Sequence, residues 1–223
     1  MASLSLRWSF GNRKLVKTRT VSFNLPAFRS RDNFVVCPGA EWCAIPCYAR
    51  QARYMFPDAV RAREHNLAIV RESLPLFERF AVSDLEQLAR VDSVRVHDSG
   101  DFFSQEYLDA WFRIMRRFER KRFYAYSKSL HLDWLRQPLN FQLVQSFGGK
   151  FDAKINRAAS HTRIFATHRD RIAAGYCNGN TNDKPAQKGA LKIGLVYHGS
   201  TKLTEQKVIW LRDKSATADT SGG

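Results

Sequence analysis

Cysteine side chains provide the most distinctive chemistry in this sequence. Cys37, Cys43 and Cys47 are separated by gaps of five and three residues, and Cys177 lies far downstream. Four thiolates form the complete ligand set of a [4Fe–4S] cluster or of a structural zinc ion. Structural zinc ligands usually come in pairs with about two to four residues between them, so this spacing favours the cluster. We therefore predict a metal centre held by all four cysteines, with zinc as the alternative.

Two further interpretations of the cysteines are unrelated buried thiols and a pair of disulfides. Disulfides are disfavoured because the first ten residues lack the apolar core of a signal peptide. A chain of 223 residues can also build a stable core without them. Trp42 and Tyr48 each adjoin one of the cysteines, and we expect them to shield a cluster from water.

Short apolar or alternating runs separated by helical patterns predict an α/β fold. The predicted strands cover 19–23, 34–36, 91–96, 122–126, 141–147, 163–167 and 193–197. The predicted helices cover 57–72, a short stretch that begins with the capping box at Ser83, 105–118 behind the cap Ser104, and 130–135. Strands that alternate with helices form a mainly parallel sheet. We therefore expect an open, mainly parallel sheet or a partial (β/α) barrel.

Polar residues follow the predicted strands where the next helices begin. The candidates for binding a cofactor are His97, Asp98, Ser99 and Asp101 after one strand and Lys128 after the next. Because ligands of parallel sheets bind at the carboxyl ends of the strands, we expect these residues to lie beside the cysteines. Turn formation, helix capping and a solvated lysine are the structural alternatives.

Basic residues are in large excess. Lys and Arg number 36 against 21 Asp and Glu, a formal charge of +15. Residues 1–31 contain seven basic residues and no acid, and a helix would place Arg113, Arg116, Arg117 and Arg120 on one side. Such charge attracts polyanions, so nucleic acid is the expected partner, with a solvated helix face as the alternative.

Three segments are expected along the chain. We predict a basic arm at 1–31, one α/β iron–sulfur domain at 32–214 and a disordered tail at 215–223. No apolar stretch approaches the roughly 20 residues that span a bilayer. This predicts a soluble, cytoplasmic protein that does not contact a membrane.

The motifs also carry a family resemblance. The run from Cys37 to Ala49, Arg95-Val-His-Asp-Ser-Gly-Asp-Phe and Phe123-Tyr-Ala-Tyr-Ser-Lys-Ser resemble a bacteriophage family known as gene product eighty-eight, over about residues 33–177. More distantly, three cysteines after one strand and a polar motif after the next resemble radical S-adenosylmethionine enzymes. That resemblance implies a partial barrel with a [4Fe–4S] cluster at one rim. It also places residues 97–101 where those enzymes bind the methionine end of the cosubstrate.

The sequence departs from the radical enzymes in its spacing. Those enzymes separate their cysteines by three and then two residues, carry a Gly-Gly-Glu-Pro-like run, and leave one iron open for the cosubstrate. Here the gaps are longer, that run is absent, and Cys177 could bind the fourth iron.

Three functions follow as expectations. The favoured one is a closed four-cysteine cluster that transfers electrons with a redox partner, senses redox state or supports nucleic-acid binding, in the host cytoplasm if phage-encoded. The first alternative is a radical enzyme with three cysteines on the cluster and S-adenosylmethionine on the open iron. The second alternative is a zinc-stabilised nucleic-acid-binding module.

Overall fold

The computed structural model describes residues 5–10, 13–16, 18–45 and 47–197, and the elements below lie within them. The strands are β1 (Trp8–Ser9), β2 (Thr20–Phe23), β3 (Ser93–Val96), β4 (Arg122–Ser127), β5 (Phe141–Ser146), β6 (His161–Phe165), β7 (Cys177–Asn178) and β8 (Lys192–Val196). The α-helices are α1 (Arg13–Val16), α2 (Pro57–Glu72), α3 (Leu74–Gln87), α4 (Gln105–Arg117), α5 (His168–Ala173) and α6 (Lys184–Gln187). Short 3-10 helices cover Trp42–Ala44, Tyr48–Arg50, Ala52–Met55 and Asp152–Lys154. Within this part of the chain, no helix is long and apolar enough to cross a bilayer.

The strands form one open sheet in the order β1-β2-β3-β4-β5-β6-β8-β7. Only β1 is antiparallel to its neighbour, and all the other pairs are parallel. From β2 to β6 the order in the chain equals the order in space, so each connection advances by one strand. The prediction of a mainly parallel α/β sheet is confirmed.

One face of the sheet carries the main hydrophobic core. Its centre contains Phe23 of β2, Phe77 of α3 and Trp111 of α4, all fully buried. Their rings lie 5.3 Å (Phe23 to Trp111) and 5.4 Å (Phe77 to Trp111) apart in edge-on contacts. These contacts lock α3 and α4 against the strands, which fixes where the loops at the strand ends emerge.

The opposite face is covered by the segment that follows β7. Asp183 accepts hydrogen bonds from Arg95 of β3 and Tyr124 of β4, and Gln187 donates to Thr20 of β2. Cys177 of β7 lies close enough to Tyr126 of β4 to affect its phenol, although four strand spacings in a flat sheet measure about 19 Å. The sheet therefore curves around the segment that contains α6.

Several predicted elements match the structure closely. The predicted helix at 57–72 is α2, with proline in its first turn. Ser104 caps α4 as expected, because its hydroxyl accepts a hydrogen bond from the Tyr107 amide. The predicted strands at 19–23, 91–96, 122–126 and 141–147 correspond to β2 to β5, and the two later ones to β6 and β8.

Three predicted elements were wrong. Residues 34–36 form no strand, because Val35 makes only an isolated bridge to Arg29 in a loop. Residues 130–135 form turns and not a helix. Ser83 does not begin a helix, since α3 begins at Leu74 behind the cap Ser73, and Asp84 inside α3 is turned toward the N-terminal segment.

The described part of the N-terminal segment is built into the fold. The amides of Ser5 and Leu6 and the indole of Trp8 all donate to the buried carboxylate of Asp84, at 2.8 to 2.9 Å. Because Trp8 and Ser9 also pair with β2, the structure does not confirm a separate arm for these residues. The predicted tail at 215–223 lies outside the described residues.

Candidate functional site

The cysteine loop spans residues 37–47, and its described residues lie on the carboxyl ends of β4 and β5. Its backbone is held there by three contacts. Ala40 forms a bridge to Gly149, the amide of Cys43 donates to Gly148 O at 3.2 Å, and the amide of Lys150 donates to Gly39 O at 3.0 Å. The loop therefore occupies the edge where parallel sheets bind ligands.

Glycines let the backbones at this edge approach closely. A Cβ on Gly39 would lie 2.3 Å from the carbonyl oxygen of Lys128, and one on Gly149 would lie 2.4 Å from Gly39 O. Gly148 has a φ of +100°, and a Cβ there would meet the Trp42 ring at 2.6 Å. Gly39 and Gly149 need glycine because neighbouring backbone fills the space of a side chain, and Gly148 needs it because of its left-handed backbone and the Trp42 ring.

We expect Gly39→Ala to displace the cysteine loop from β4. Because the clash is with rigid backbone, the free energy of unfolding should fall by about 1–3 kcal/mol. Limited proteolysis should then cut residues 40–56 faster than in the wild type. Gly175→Ala is the control, since its Cβ meets no atom within 4 Å and only its left-handed φ of +72° is strained. Equal cleavage of the loop in both variants would contradict the placement of the loop against the carboxyl end of β4.

The thiols of Cys37, Cys43 and Cys47, the cysteine trio, share one electrostatic environment. Burial is the main cause that raises the pKa of Cys37, and Asp101 and the other two thiolates raise it further. Burial likewise raises the pKa of Cys47, while the charges of Lys128 and Arg50 oppose the rise. The amide of Phe28 also donates to Cys37 Sγ at 3.3 Å. A metal could hold Cys37 and Cys47 as thiolates despite their raised pKa values, because its positive charge stabilises the deprotonated form.

The trio does not form the ligand set of a single ion. Among the described residues, no group of three or more His, Cys, Asp or Glu side chains is placed to hold one metal ion. A zinc ion needs its sulfurs about 2.3 Å from one point. In a [4Fe–4S] cluster each thiolate binds a different iron, so the sulfurs lie farther apart.

Cys177 stands apart from the trio. It lies in β7 at the edge of the sheet and is exposed. The side chains that interact electrostatically with its thiol are Arg171, which lowers its pKa, and Tyr126. Burial raises the pKa of Cys177, and the trio does not contribute to that shift.

Two of the predicted binding residues are engaged in the interior. His97, with a φ of +68°, turns toward α4, where its Nε2 lies 2.9 Å from Tyr107 Oη and its ring packs on Phe102. Burial lowers the pKa of His97 to about 3, so the ring is neutral. Ser99 donates to Leu25 O at 2.6 Å and accepts from Arg63. Both side chains hold the loop after β3 through contacts on its buried side.

Asp101 and Lys128 lie beneath the cysteine loop. The buried carboxylate of Asp101 accepts from Ser127 Oγ at 2.7 Å, from the Phe102 amide at 2.8 Å and from the Lys128 amide at 2.9 Å. Burial raises the pKa of Asp101. The ammonium group of Lys128 donates to Ser146 Oγ and acts electrostatically on Cys47. Asp101 thus fixes the turn after β4, and Lys128 brings a positive charge to the trio.

Asp98 joins a buried network that extends from the cysteine loop. Its carboxylate accepts from Tyr54 Oη at 2.6 Å and forms an ion pair with Arg95 at 3.0 Å, and Tyr48 Oη donates to both its side chain and its carbonyl. Arg95 pairs at 3.0 Å with Asp183 as well. Arg95, Tyr54 and Asp183 were not predicted as site residues. An arginine between two valines in β3 was the signal available for the first.

Two hydrogen-bond donor atoms of this network have no partner within the described residues. They are Nε of Arg95 and Oη of Tyr126, and both are buried. The Arg95 guanidinium lies 5.1 Å from the centre of the Tyr126 ring, so the two atoms belong to the same region. Buried donors without partners are costly, and a bound ligand is one way to satisfy them.

The chain is similar to bacteriophage proteins. The Gene 88 protein of Mycobacterium phage D29 is 32% identical over 101 residues, which cover 41% of this chain and 42% of that relative. The match thus spans less than half of the relative's length. No solved structure matches the chain. The profile of the Gene product 88 family matches residues 4–222, and the chain therefore belongs to that family.

Proposed function

We propose that this protein is an iron–sulfur enzyme of the radical S-adenosylmethionine type. In this proposal the cysteine trio holds a [4Fe–4S] cluster, and the fourth iron is open to the cosubstrate. The observation that carries the proposal is the grouping of three thiols at the carboxyl edge of a parallel sheet, with Cys177 outside that group. The consecutive order of the parallel strands from β2 to β6 supports it, because the partial barrel of that enzyme class is also built from parallel strands in consecutive order.

The side chains at this site are suited to a [4Fe–4S] cluster and to the cosubstrate. Three thiols interact with one another, and Lys128 supplies a positive charge that offsets part of the charge of their thiolate forms. Arg95 Nε and Tyr126 Oη are buried donors without partners among the described residues, in the network that contacts the loop through Tyr48. A carboxylate such as that of the methionine end of the cosubstrate would satisfy both donors.

Each side chain of the site has a role in this proposal. When bound, the cluster supplies one electron for reductive cleavage of the cosubstrate. Asp98 holds the segment directly after the cysteine loop through Tyr48 and Tyr54, and Asp101 fixes the turn that carries Lys128. Arg95 and Tyr126 orient the anionic end of the cosubstrate. His97 and Ser99 position the loop after β3 without contacting the ligand.

A closed four-cysteine cluster is the second candidate, and the strand register favours it. Cys177 pairs with Ile193, Ile193 with Thr162, and Thr162 with Ser146. Cys177 therefore lies level with the carboxyl end of β5, at the same edge as the trio. Closure by this thiol would leave no open iron and would make the protein an electron carrier or a redox sensor.

The test is metal and spectroscopic analysis of anaerobically purified protein. We expect iron and sulfide with visible absorption in the wild type, loss of most of both in Cys43→Ala, and retention in the matched control Cys177→Ala. Added S-adenosylmethionine should shift the electron paramagnetic resonance spectrum of the reduced wild type. Loss of the cluster in Cys177→Ala with no response to the cosubstrate would establish the closed cluster. Zinc without iron would contradict both candidates.

The setting of the protein is part of the proposal. A reduced cluster needs an electron donor, so we infer a redox partner protein in the reducing cytoplasm of the bacterial host. The phage relative supports a host-cell location.

A further inference from the structure

Two grooves lie at the end of the sheet opposite the cysteine loop and along α4. The lining of the first, of about 360 Å³, includes Arg120, Lys121, Arg122 and Phe141. The lining of the second, of about 800 Å³, includes Glu78, Arg79, Arg113 and Arg117. The residues at the end of α4 connect the two, because Arg117 closes the helix and Arg120 follows in the turn to β4. The predicted helical placement of Arg120 was wrong for this reason.

Some of the basic side chains in these grooves already form hydrogen bonds or ion pairs with other residues of the protein, and others do not. Arg113 makes a bidentate contact with Glu78, and Lys121 donates to the carbonyls of Leu88 and Val91. The side chains of four exposed arginines in these grooves, Arg79, Arg117, Arg120 and Arg122, have no hydrogen bond or ion pair within the described residues, and the last three lie together where α4 leads into β4. We call Arg117, Arg120 and Arg122 the arginine surface. Basic residues in the last turn of a helix stabilise it, which explains Arg117 but not the two beyond the helix.

We propose that the arginine surface binds the phosphate backbone of double-stranded nucleic acid. Guanidinium groups match phosphate oxygens in charge and in hydrogen-bond geometry. Proteins that bind single strands also stack bases on exposed aromatic rings. Phe141 is the aromatic residue among the two sets of lining residues, and it is 6% exposed. Backbone contact without stacking favours a duplex bound without regard to sequence.

The arginine surface is separate from the cysteine loop. Arg122 is the first residue of β4, and Lys128 follows its last residue. Six residues of strand span about 20 Å. A duplex bound by the arginine surface thus anchors the protein on nucleic acid, and this inference does not depend on the proposed cluster.

The test is fluorescence anisotropy with a labelled mixed-sequence duplex of about 20 base pairs, roughly two helical turns, over a range of salt concentrations. The variant Arg117→Gln/Arg120→Gln/Arg122→Gln should lower the slope of log affinity against log salt by about three and weaken binding about tenfold or more. The matched control Arg53→Gln/Arg157→Gln/Arg169→Gln removes three other exposed arginines. Its slope should stay near that of the wild type.

A lysine variant tests whether weaker binding results from the lost charge or from unfolding. Arg117→Lys/Arg120→Lys/Arg122→Lys keeps the charge, so it should retain most of the binding. Absence of duplex binding by the wild type, or an equal loss in both glutamine variants, would overturn the proposal. Tighter binding to the matching single strand, or equal binding to polyglutamate, would also overturn it and would identify a different partner.

Discussion

Replacing Arg95 with methionine should lower the free energy of unfolding by about 3–5 kcal/mol. Arg95 is 9% exposed in its side chain and pairs with Asp98 and Asp183, whose side chains are 11% and 0% exposed. Methionine fills a similar volume but leaves both carboxylates buried without their cation. Removal of one partner of a buried ion pair is costly because the remaining charge cannot be solvated. Urea unfolding at neutral pH measures the change.

The matched control is Arg113→Met, which removes an arginine from an exposed ion pair. The Arg113 side chain is 53% exposed and its partner Glu78 is 22% exposed. We expect a loss of at most about 1 kcal/mol. Adding Asp183→Asn to Arg95→Met should recover part of the stability, because it removes one of the two buried carboxylates that have lost their cation. Equal effects of Arg95→Met and Arg113→Met would show that the network does not anchor the fold.

Stability should fall in acid because of His97. Burial lowers its folded pKa from 6.5 to about 3, so at neutral pH the ring is uncharged in both the folded and the unfolded chain. Below pH 6.5 the unfolded chain binds a proton that the folded chain does not. Each pH unit in the window from about 6.5 to 3 therefore costs about 1.4 kcal/mol, or about 2 kcal/mol at pH 5.

His97→Gln isolates this contribution. Glutamine can still hydrogen-bond to Tyr107 but has no proton to bind in this range. We expect the variant to be less stable than the wild type at pH 7.5 but to lose about 2 kcal/mol less between pH 7.5 and pH 5. Burial lowers the pKa of His161 and raises the pKa of Asp101 in both proteins, so these cancel in the difference. If the free energy of unfolding changed with pH equally in His97→Gln and the wild type, His97 would not be a buried neutral residue.

Local patterns predicted many elements because their signals are local. Proline in the first turn marked α2, and the Ser104 cap with its apolar spacing marked α4. The errors arose where tertiary contacts override local preference. Ser83 has the residues of a capping box, but Leu74 to Phe77 extend the helix backward because Phe77 packs on Trp111 in the core. Residues 34–36 have strand-forming side chains but no neighbouring strand to pair with.

Sequence alone determined the class of fold, the position of the cysteine loop in the chain and the family, since each depends on residue types and their spacing. Parallel strands must place their carboxyl ends together, so the meeting of the loop with Asp98, Asp101 and Lys128 at one edge was also predictable. Tertiary structure decided the rest. The left-handed backbone at His97 turns that ring into the core, and the curvature of the sheet brings Asp183 to Arg95. Both depend on contacts between residues distant in the chain, which no local spacing encodes.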